Sequence, residues 1–215
     1  MKLTIFAATG GVGRHLLDQA LAAGHDVTAA VRNPAKLPGH PGLRVITADL
    51  TDPDPAAMQS AVGGADAVLS VLGPSSNAEA GVAAHGTRAI AEAMRATGVR
   101  RLVAISAAPV AGLTGGHDPG DGPFMRHLIS PLLRRFLAAH YADLATMETL
   151  LRESDLDWTV LRPPYLTDKP RRPYRTAIGR NVRRGMSISR ADVAAHMLQV
   201  LDRPGTVRQT VSLAY

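Results

Sequence analysis

A strand, a glycine-rich turn, a helix and a second strand follow one another in residues 2–32, and this order restricts the fold more than any other feature. The apolar run Lys2–Ala7 predicts a short buried strand. Three glycines, Gly10, Gly11 and Gly13, then form a tight turn that lets a ligand approach the backbone closely. Apolar residues at helical spacing predict a helix from Val12 to about Ala23.

The start of this helix is a predicted binding site for a dinucleotide. Amide N–H groups at a helix N-terminus carry a partial positive charge that suits a phosphate, and this order of elements is typical of a pyrophosphate site. The second strand, Val27–Val31, ends at Arg32, about 20 residues beyond the turn, where such folds recognise the ribose. An arginine there pairs with a 2′-phosphate, so the sequence favours NADP(H). The alternatives are a solvated loop residue for Arg32 and an exposed helix residue for Arg14, which could also reach a phosphate.

Composition excludes several other classes of protein. The 215 residues, of which 46% are hydrophobic, suffice for one well-packed α/β domain. The absence of cysteine excludes disulfides and thiolate chemistry and agrees with a cytoplasmic protein. No apolar run reaches the ~18 residues of a membrane span, and the first apolar run ends at glycine rather than in a signal peptide. The eight histidines show no metal-binding spacing, so no metal site is expected.

Positive charge is concentrated in residues 169–190, which contain eight basic side chains and no acidic ones. The whole chain has a net charge of +6. A solvated basic loop with an edge strand is the favoured interpretation. A pocket rim that attracts an anionic substrate or cofactor comes second, and nucleic-acid contact third, because neither an aromatic platform nor a helix-turn-helix accompanies the charges.

Strands and helices alternate along the rest of the chain. Further strands are predicted at Leu43–Thr47, Ala67–Val71, Arg101–Ser106 and Trp158–Leu161, with Val207–Leu213 as a last, edge strand; further helices are predicted at Ala56–Val62, Ala80–Thr97 and Pro131–Ser154, and from an N-cap at Ser189 to about Leu201. This pattern predicts a single-domain α/β fold of the Rossmann type over residues 1–215, doubly wound, with a mostly parallel sheet and helices on both faces.

Two segments are expected on the substrate side, at the carboxyl ends of the strands. The first is residues 107–130, in which the Gly- and Pro-rich loop Ala107–Pro123 is interpreted as a flexible lid; an idle surface insertion is the alternative. The second is residues 163–190, which begin with two prolines after a predicted strand.

Seven motifs in order give the chain a resemblance to the atypical short-chain dehydrogenase/reductases, in particular the NAD(P)H-binding, NmrA-like group that includes flavin/biliverdin-IXβ reductase. They are AATGGVGR in the first turn, VRNPAKL, ADL, SVLG, AISAAP, LLRESDLDWTVLRPPYL and ISRADVAAHML. The usual family turn is G-A-T-G-x-x-G, so Ala7 replaces its first glycine, a mild departure if φ stays negative.

The resemblance implies a set of site residues. The residues implied or proposed to bind the coenzyme are Thr9, Gly10, Gly11, Val12, Gly13, Arg14, Arg32, Asp49, Leu50, Leu72, Gly73, Ser106, Pro163, Pro164 and Tyr165. Ser106 corresponds to a serine near the nicotinamide, and Tyr165 stands where the flavin/biliverdin reductases have a histidine.

The Tyr-x-x-x-Lys dyad of ordinary short-chain dehydrogenases is missing, since Tyr141 is followed four residues later by alanine. A tyrosine without that lysine keeps a pKa near ~10 and is a poor base, although Tyr141 or Tyr165 could donate a proton. Ser106, Tyr165 and Tyr141 are therefore the candidate catalytic residues. The predicted function is an NADPH-dependent reductase of a small acceptor such as a flavin, quinone or conjugated carbonyl.

Two alternatives remain: a non-catalytic, redox-sensing NADP(H)-binding regulator, and a biosynthetic isomerase or cyclase that needs the cofactor only structurally. The sequence leaves open whether the protein is a monomer or a homodimer.

Overall fold

The computed structural model describes residues 1–73, 81–111 and 130–215, without the side chains of residues 130–138. The strands are β1 Lys2–Phe6, β2 Asp26–Val31, β3 Leu43–Thr47, β4 Ala67–Ser70, β5 Arg101–Ile105, β6 Asp157–Arg162, β7 Tyr165–Thr167, β8 Arg175–Ile178, β9 Ser187–Ser189 and β10 Gln209–Ala214. The α-helices are α1 Gly11–Ala22, α2 Pro55–Val62, α3 Val82–Thr97, α4 Ser130–Glu153 and α5 Arg190–Gln199.

Eight strands form one sheet in the order β3-β2-β1-β4-β5-β6-β10-β8. Every neighbouring pair is parallel except β10 and β8. The strand order reverses between β1 and β4, and doubly wound sheets bind ligands at such a switch point, beyond the carboxyl ends of the strands. The predicted α/β, doubly wound, mostly parallel Rossmann-type fold is confirmed.

Helices cover both faces because the inner strands are apolar on both sides. On one face, Phe6, Val68 and Leu102 pack with residues of α2, α3 and α4. On the other face, Ile5 and Val103 pack with residues of α1 and α5. Consecutive residues of a strand point to opposite faces, so the near-continuous apolar runs of β1 and β5 supply both cores.

The predicted position of the last strand is wrong. β10 was expected at the edge of the sheet, but it lies between β6 and β8. The edge is β8, which comes from the basic segment and exposes Arg175, Thr176 and Ile178. Charged side chains are typical of an edge strand, which must avoid pairing with other chains. The edge strand predicted within the basic segment is therefore confirmed, and it covers β10.

A small parallel sheet of β7 and β9 was not predicted. Its three-residue strands lie within residues 163–190, and such short runs are hard to separate from loops by pattern. Most of the predicted lid, residues 112–123, lies outside the described residues. The part that is described, Ala108–Val110, is a 3-10 turn whose first amide donates to the Pro163 carbonyl at 2.9 Å.

Candidate coenzyme-binding site

The turn after β1 adopts an unusual backbone conformation at its first residue. Ala7 has φ +59°, in the left-handed region, and its carbonyl accepts the Gly10 amide at 3.0 Å. The condition under which replacement of the family glycine by Ala7 would be a mild departure, a negative φ, is therefore not met. Glycine adopts this conformation without a steric penalty, so a chain with alanine here holds a mildly strained turn.

The three glycines of the turn have three different surroundings. A Cβ on Gly13 would lie 2.2 Å from the Ala7 carbonyl oxygen, so this glycine is required for α1 to pack on the turn. A Cβ on Gly10 would lie 3.4 Å from the same oxygen, which is ordinary contact. A Cβ on Gly11 would lie 2.8 Å from Nε and 2.9 Å from Cδ of Arg190. Of these three glycines, Gly10 is the one at which the described residues leave ordinary contact distance around a Cβ.

The N-terminus of α1 presents backbone donors at this turn. Gly10 is the N-cap and has no side chain to cap the helix, and the helical hydrogen bonds begin with the Arg14 amide donating to the Gly10 carbonyl at 2.9 Å. The preceding three amides, of Gly11, Val12 and Gly13, have no acceptor within the helix. The Val12 side chain is buried in the core and fixes their position. The arrangement fits a phosphate, which would accept from these amides.

Two cations lie near the turn in the chain. Nε of Arg14 donates to the Thr9 carbonyl at 3.1 Å, so Arg14 folds back on the turn. Arg32 is exposed and directly follows β2. Since β2 is the parallel neighbour of β1, Arg32 lies at the same edge of the sheet as the glycine turn. This is where the 2′-phosphate of a bound NADP(H) would be expected.

The predicted adenine-flanking pair follows β3. The Asp49 carboxylate accepts from the amide and hydroxyl of Thr51 at 2.9 and 2.7 Å, which fixes a turn, and Asp49 is exposed. Leu50 is buried. The next predicted pair shows the same difference in burial, since Leu72 is buried and Gly73 is exposed. Both leucines pack against Gly86 of α3, where a Cβ would lie 2.8 Å from Leu72 and 3.3 Å from Leu50.

Two buried hydroxyls lie at the carboxyl ends of the central strands. Ser70 ends β4, and Ser106 directly follows β5. Both are at most 4% exposed, and neither hydroxyl has a hydrogen-bond partner among the residues that the structure describes. A buried hydroxyl without a partner is unfavourable. Ser106 is held by its amide, which donates to the Leu161 carbonyl at 2.8 Å.

The predicted nicotinamide-side residues follow β6. Pro163 and Pro164 connect β6 to β7, and Tyr165 is the first residue of β7. The Tyr165 side chain is 76% exposed, and its amide donates to the Met186 carbonyl at 3.3 Å. Asn181 adds a tie between the substrate-side segments, because its Nδ2 donates to the Ala108 carbonyl at 3.2 Å.

Tyr141 is in a different environment from Tyr165. It lies on α4, is 5% exposed and belongs to the core cluster that includes Val110. Burial raises its pKa above the ordinary value, so the phenol stays protonated at neutral pH. The neighbouring His140 has its pKa lowered by burial, an effect that the negative charge of Asp143 opposes. A protonated Tyr141 can donate a proton but cannot act as a base.

Arg190, the last residue of the basic segment 169–190, lies beside the glycine turn, a contact that was not predicted for it individually. It is the first residue of α5, and its side chain lies against Gly11 at the start of α1. The two residues are far apart in the chain, so no local pattern connects them. The sequence hints at this contact through Gly11, because the G-x-x-G turn formed by Gly10 and Gly13 does not itself require a glycine at position 11.

Neither a metal site nor a membrane span is found where the structure describes the chain. No group of three or more His, Asp or Glu side chains within residues 1–73, 81–111 and 139–215 is placed to hold a metal ion. None of the helices in the described ranges combines the length and apolar character needed to cross a bilayer.

Curated relatives of the chain include two enzymes. A 3-diazoavenalumate denitrifying reductase of a Streptomyces species is 34% identical over 175 residues, which are 75% of this chain and 55% of the relative. A 3-beta-hydroxysteroid dehydrogenase of Mycolicibacterium neoaurum is 29% identical over 133 residues, or 56% of this chain and 35% of the relative. The matched regions therefore span about a third to a half of these longer proteins.

Solved structures share the fold over nearly the whole chain. A short-chain dehydrogenase/reductase of Veillonella parvula in complex with NADP has a TM-score of 0.82 at 20% identity, covering 100% of this chain and 94% of that one. The oxidoreductase ylbE of Lactococcus lactis has a TM-score of 0.81 at 19% identity, covering 100% and 90%.

The family comparison agrees with the architecture and with the resemblance noted from the motifs. A family described as NAD(P)H-binding matches residues 7–204, from the glycine turn to the segment after α5. The chain belongs to this NAD(P)H-binding family, and it shares its Rossmann-type fold with solved short-chain dehydrogenase/reductases.

Proposed function

We propose that this protein is an NADPH-dependent reductase that transfers hydride to a flavin, quinone or conjugated carbonyl. The observation that carries the proposal is the uncapped N-terminus of α1 at a glycine turn, with Arg32 at the end of the neighbouring strand. The amides would bind the pyrophosphate, and Arg32 would bind the 2′-phosphate and so favour NADPH over NADH. One curated relative is named as a reductase, and one solved structure of the same fold holds NADP.

The carboxyl ends of β4, β5 and β6 supply the groups for the reaction. When bound, the reduced nicotinamide supplies the hydride. The Ser106 hydroxyl would hydrogen-bond to the nicotinamide amide or to the acceptor, which would satisfy a buried group that has no partner among the described residues. Tyr165, exposed at the start of β7, would orient the acceptor or donate the proton that completes its reduction.

The class of acceptor is inferred from the candidate catalytic side chains, which are weak general acids and bases. Ala145 stands where a classical dyad has lysine, and Tyr141 is a buried, protonated phenol. An acceptor that stabilises negative charge by itself needs orientation and the exclusion of water more than a strong general acid. Flavins, quinones and conjugated carbonyls are acceptors of this kind.

Turnover with a panel of acceptors tests the proposal. NADPH is mixed with the protein and each acceptor, and absorbance at the NADPH band is followed. We expect oxidation with at least one acceptor and a lower KM for NADPH than for NADH. Absence of turnover with every acceptor, in a preparation that binds NADPH, would contradict the reductase.

The Arg32→Ala variant tests the choice of coenzyme. Loss of a charge-assisted contact to the 2′-phosphate should weaken NADPH binding roughly 10- to 100-fold and leave NADH binding almost unchanged. Fluorescence titration with both coenzymes measures this. Equal losses for the two coenzymes would refute a role of Arg32 at the 2′-phosphate.

A redox-sensing regulator is the second candidate, and the burial of Tyr141 without a lysine partner four residues on favours it. Such a protein binds NADP⁺ and NADPH without turnover and reports the bound form to a partner. Binding of both forms, no turnover and a co-purifying protein would support this candidate over the reductase.

A further inference from the structure

Arg190 lies across the beginning of the phosphate-binding turn. A Cβ built on Gly11 would meet its Nε at 2.8 Å and its Cδ at 2.9 Å, so the side chain passes directly over the first residue of α1. Gly11 carries one of the three amides that have no acceptor in the helix. The Arg190 side chain therefore lies against the residue that carries the first of these backbone donors.

The backbone of Arg190 is held firmly in this place. Ser189 is the N-cap of α5 and accepts from the Asp192 amide at 3.0 Å, while its hydroxyl donates to the Asp192 carboxylate at 2.8 Å. The same carboxylate accepts from the Tyr215 hydroxyl at 2.5 Å and the Arg172 amide at 3.2 Å. Asp192 is 1% exposed, so this network is shielded from solvent.

The two helices that meet here are also tied to each other. Gln19 of α1 donates to the Ala191 carbonyl at 3.0 Å. Leu16 and Leu17 of α1 and Val193 of α5 belong to one core cluster. The packing of α5 on α1 consequently fixes where the Arg190 side chain starts relative to α1.

The acidic partner of Arg190 is weakly held. Nη1 of Arg190 contacts the Asp168 carboxylate at 2.8 Å, and the Asp168 side chain is 79% exposed. The Arg190 side chain itself is only 29% exposed. An ion pair with so exposed an acid contributes little, and an incoming polyanion can replace the acid.

We infer that Arg190 binds the pyrophosphate of the coenzyme and exchanges Asp168 for it. The inference rests on the proposed coenzyme site and adds a residue to it from the far end of the chain. The role differs from that of Arg32, because the pyrophosphate is common to NADH and NADPH whereas the 2′-phosphate is not. Asp168 then acts as a competitor that lowers the affinity for both coenzymes.

Three variants separate this role from a structural one. Arg190→Gln should weaken NADPH and NADH binding by the same factor, about tenfold. Asp168→Asn should tighten both about two- to threefold, because the guanidinium no longer has a competing carboxylate. The double variant should bind like Arg190→Gln, because Asp168 acts only through Arg190. The exposed Arg95→Gln on α3 removes the same charge at another place and should leave both affinities unchanged.

Adenosine 2′-monophosphate serves as the probe that lacks the pyrophosphate. Its binding should be unaffected by Arg190→Gln and weakened by Arg32→Ala. Fluorescence and calorimetric titrations give the affinities, and thermal melts without ligand show whether each variant is folded. A merely structural Arg190 would lower the melting temperature and weaken all three probes together.

The outcomes keep the two proposals apart. If the wild-type protein binds neither coenzyme, the proposed function is wrong. If it binds both but Arg190→Gln leaves the affinities unchanged or increases them, the role of Arg190 is wrong and the proposed function stands. Additive effects of Arg190→Gln and Asp168→Asn would also overturn the exchange.

Discussion

Substitutions of single residues in the glycine turn distinguish residues that stabilise the fold from residues that are required for ligand binding. Ala7 has φ +59°, which costs an L-residue roughly 1 kcal/mol, whereas glycine adopts it without strain. We predict that Ala7→Gly raises the free energy of unfolding by up to about 1 kcal/mol, the added chain entropy of glycine offsetting part of the gain. Urea denaturation measures it, with the buried Ala8→Gly as the destabilised control. If the Ala7→Gly variant is less stable than the wild-type protein, the claim that Ala7 is strained is wrong.

Gly10 and Gly13 should respond differently to the same substitution. Gly13→Ala places a methyl group 2.2 Å from a backbone oxygen and should destabilise the protein by roughly 2 kcal/mol or more. Gly10→Ala has room and should change the stability by less than about 1 kcal/mol. A methyl group at this turn would obstruct the close backbone approach that the proposed phosphate site requires. We therefore expect Gly10→Ala to remain folded and to lose NADPH binding. Normal NADPH affinity in that variant would show that the turn is not the phosphate site.

At the scale of elements, α3 depends on a neighbouring helix for its N-terminal cap. The Asp143 carboxylate of α4 accepts from the Ala83 and Ala84 amides at 3.0 and 2.9 Å. Asp143 is 6% exposed, so this cap is buried. It fixes the start of α3 relative to α4, the helix that carries Tyr141.

Loss of this buried cap should be more harmful than loss of an exposed one. Asp143→Ala leaves two amides without an acceptor and should lower the free energy of unfolding by about 2 kcal/mol or more. Asp54→Ala removes the cap of α2, where water can replace the carboxylate, and should cost about 1 kcal/mol. Denaturation of both variants gives the comparison, and equal losses would mean that burial of the Asp143 cap is unimportant.

Elements with a strong local pattern were predictable, and those stabilised by distant contacts were not. β1, α1 and β2 follow from apolar spacing and the glycine turn, and Ser189 was correctly predicted as the N-cap of α5. β7 and β9 exist because they pair with each other across the segment between them. The edge position was wrongly given to β10, because nothing near β10 shows that β8 folds back beside it.

At the scale of the whole molecule, the buried His196 should make the free energy of unfolding depend on pH. Burial and the positive charge of Arg203 lower its pKa to about 4, while its Nδ1 lies 3.0 Å from the Tyr174 hydroxyl. The unfolded chain binds a proton near pH 6.5 and the folded protein only near pH 4, so stability is complete above pH 6.5 and falls as the pH drops toward 4. The loss attributable to this histidine is roughly 3 kcal/mol.

Urea denaturation at pH 7.5 and pH 4.5 measures this effect. His196→Gln removes the titrating group and should lose less stability between the two pH values than the wild-type protein. If both proteins lose the same free energy of unfolding between pH 7.5 and pH 4.5, groups other than His196 cause the acid sensitivity.

The candidate site is partly predictable because its proposed phosphate-binding part lies within one βαβ unit. The turn and Arg32 are close in sequence, and parallel pairing of β1 with β2 brings them to one edge. For Arg190 the sequence offered only a basic segment that could line a pocket rim, and its contact with the turn was not predictable because it depends on the packing of α5 on α1. The trace of that contact in the sequence is the glycine at position 11, where an added Cβ would collide with the arginine.

The central claim is that the first amides of α1 bind the coenzyme's phosphates, and an amide-resolved NMR titration with NADPH tests it most directly. Saturating NADPH should give its largest shift changes at the Gly11, Val12 and Gly13 amides and at Arg32, with smaller changes for NADH at Arg32. A folded protein whose turn amides do not respond to either coenzyme would contradict the account.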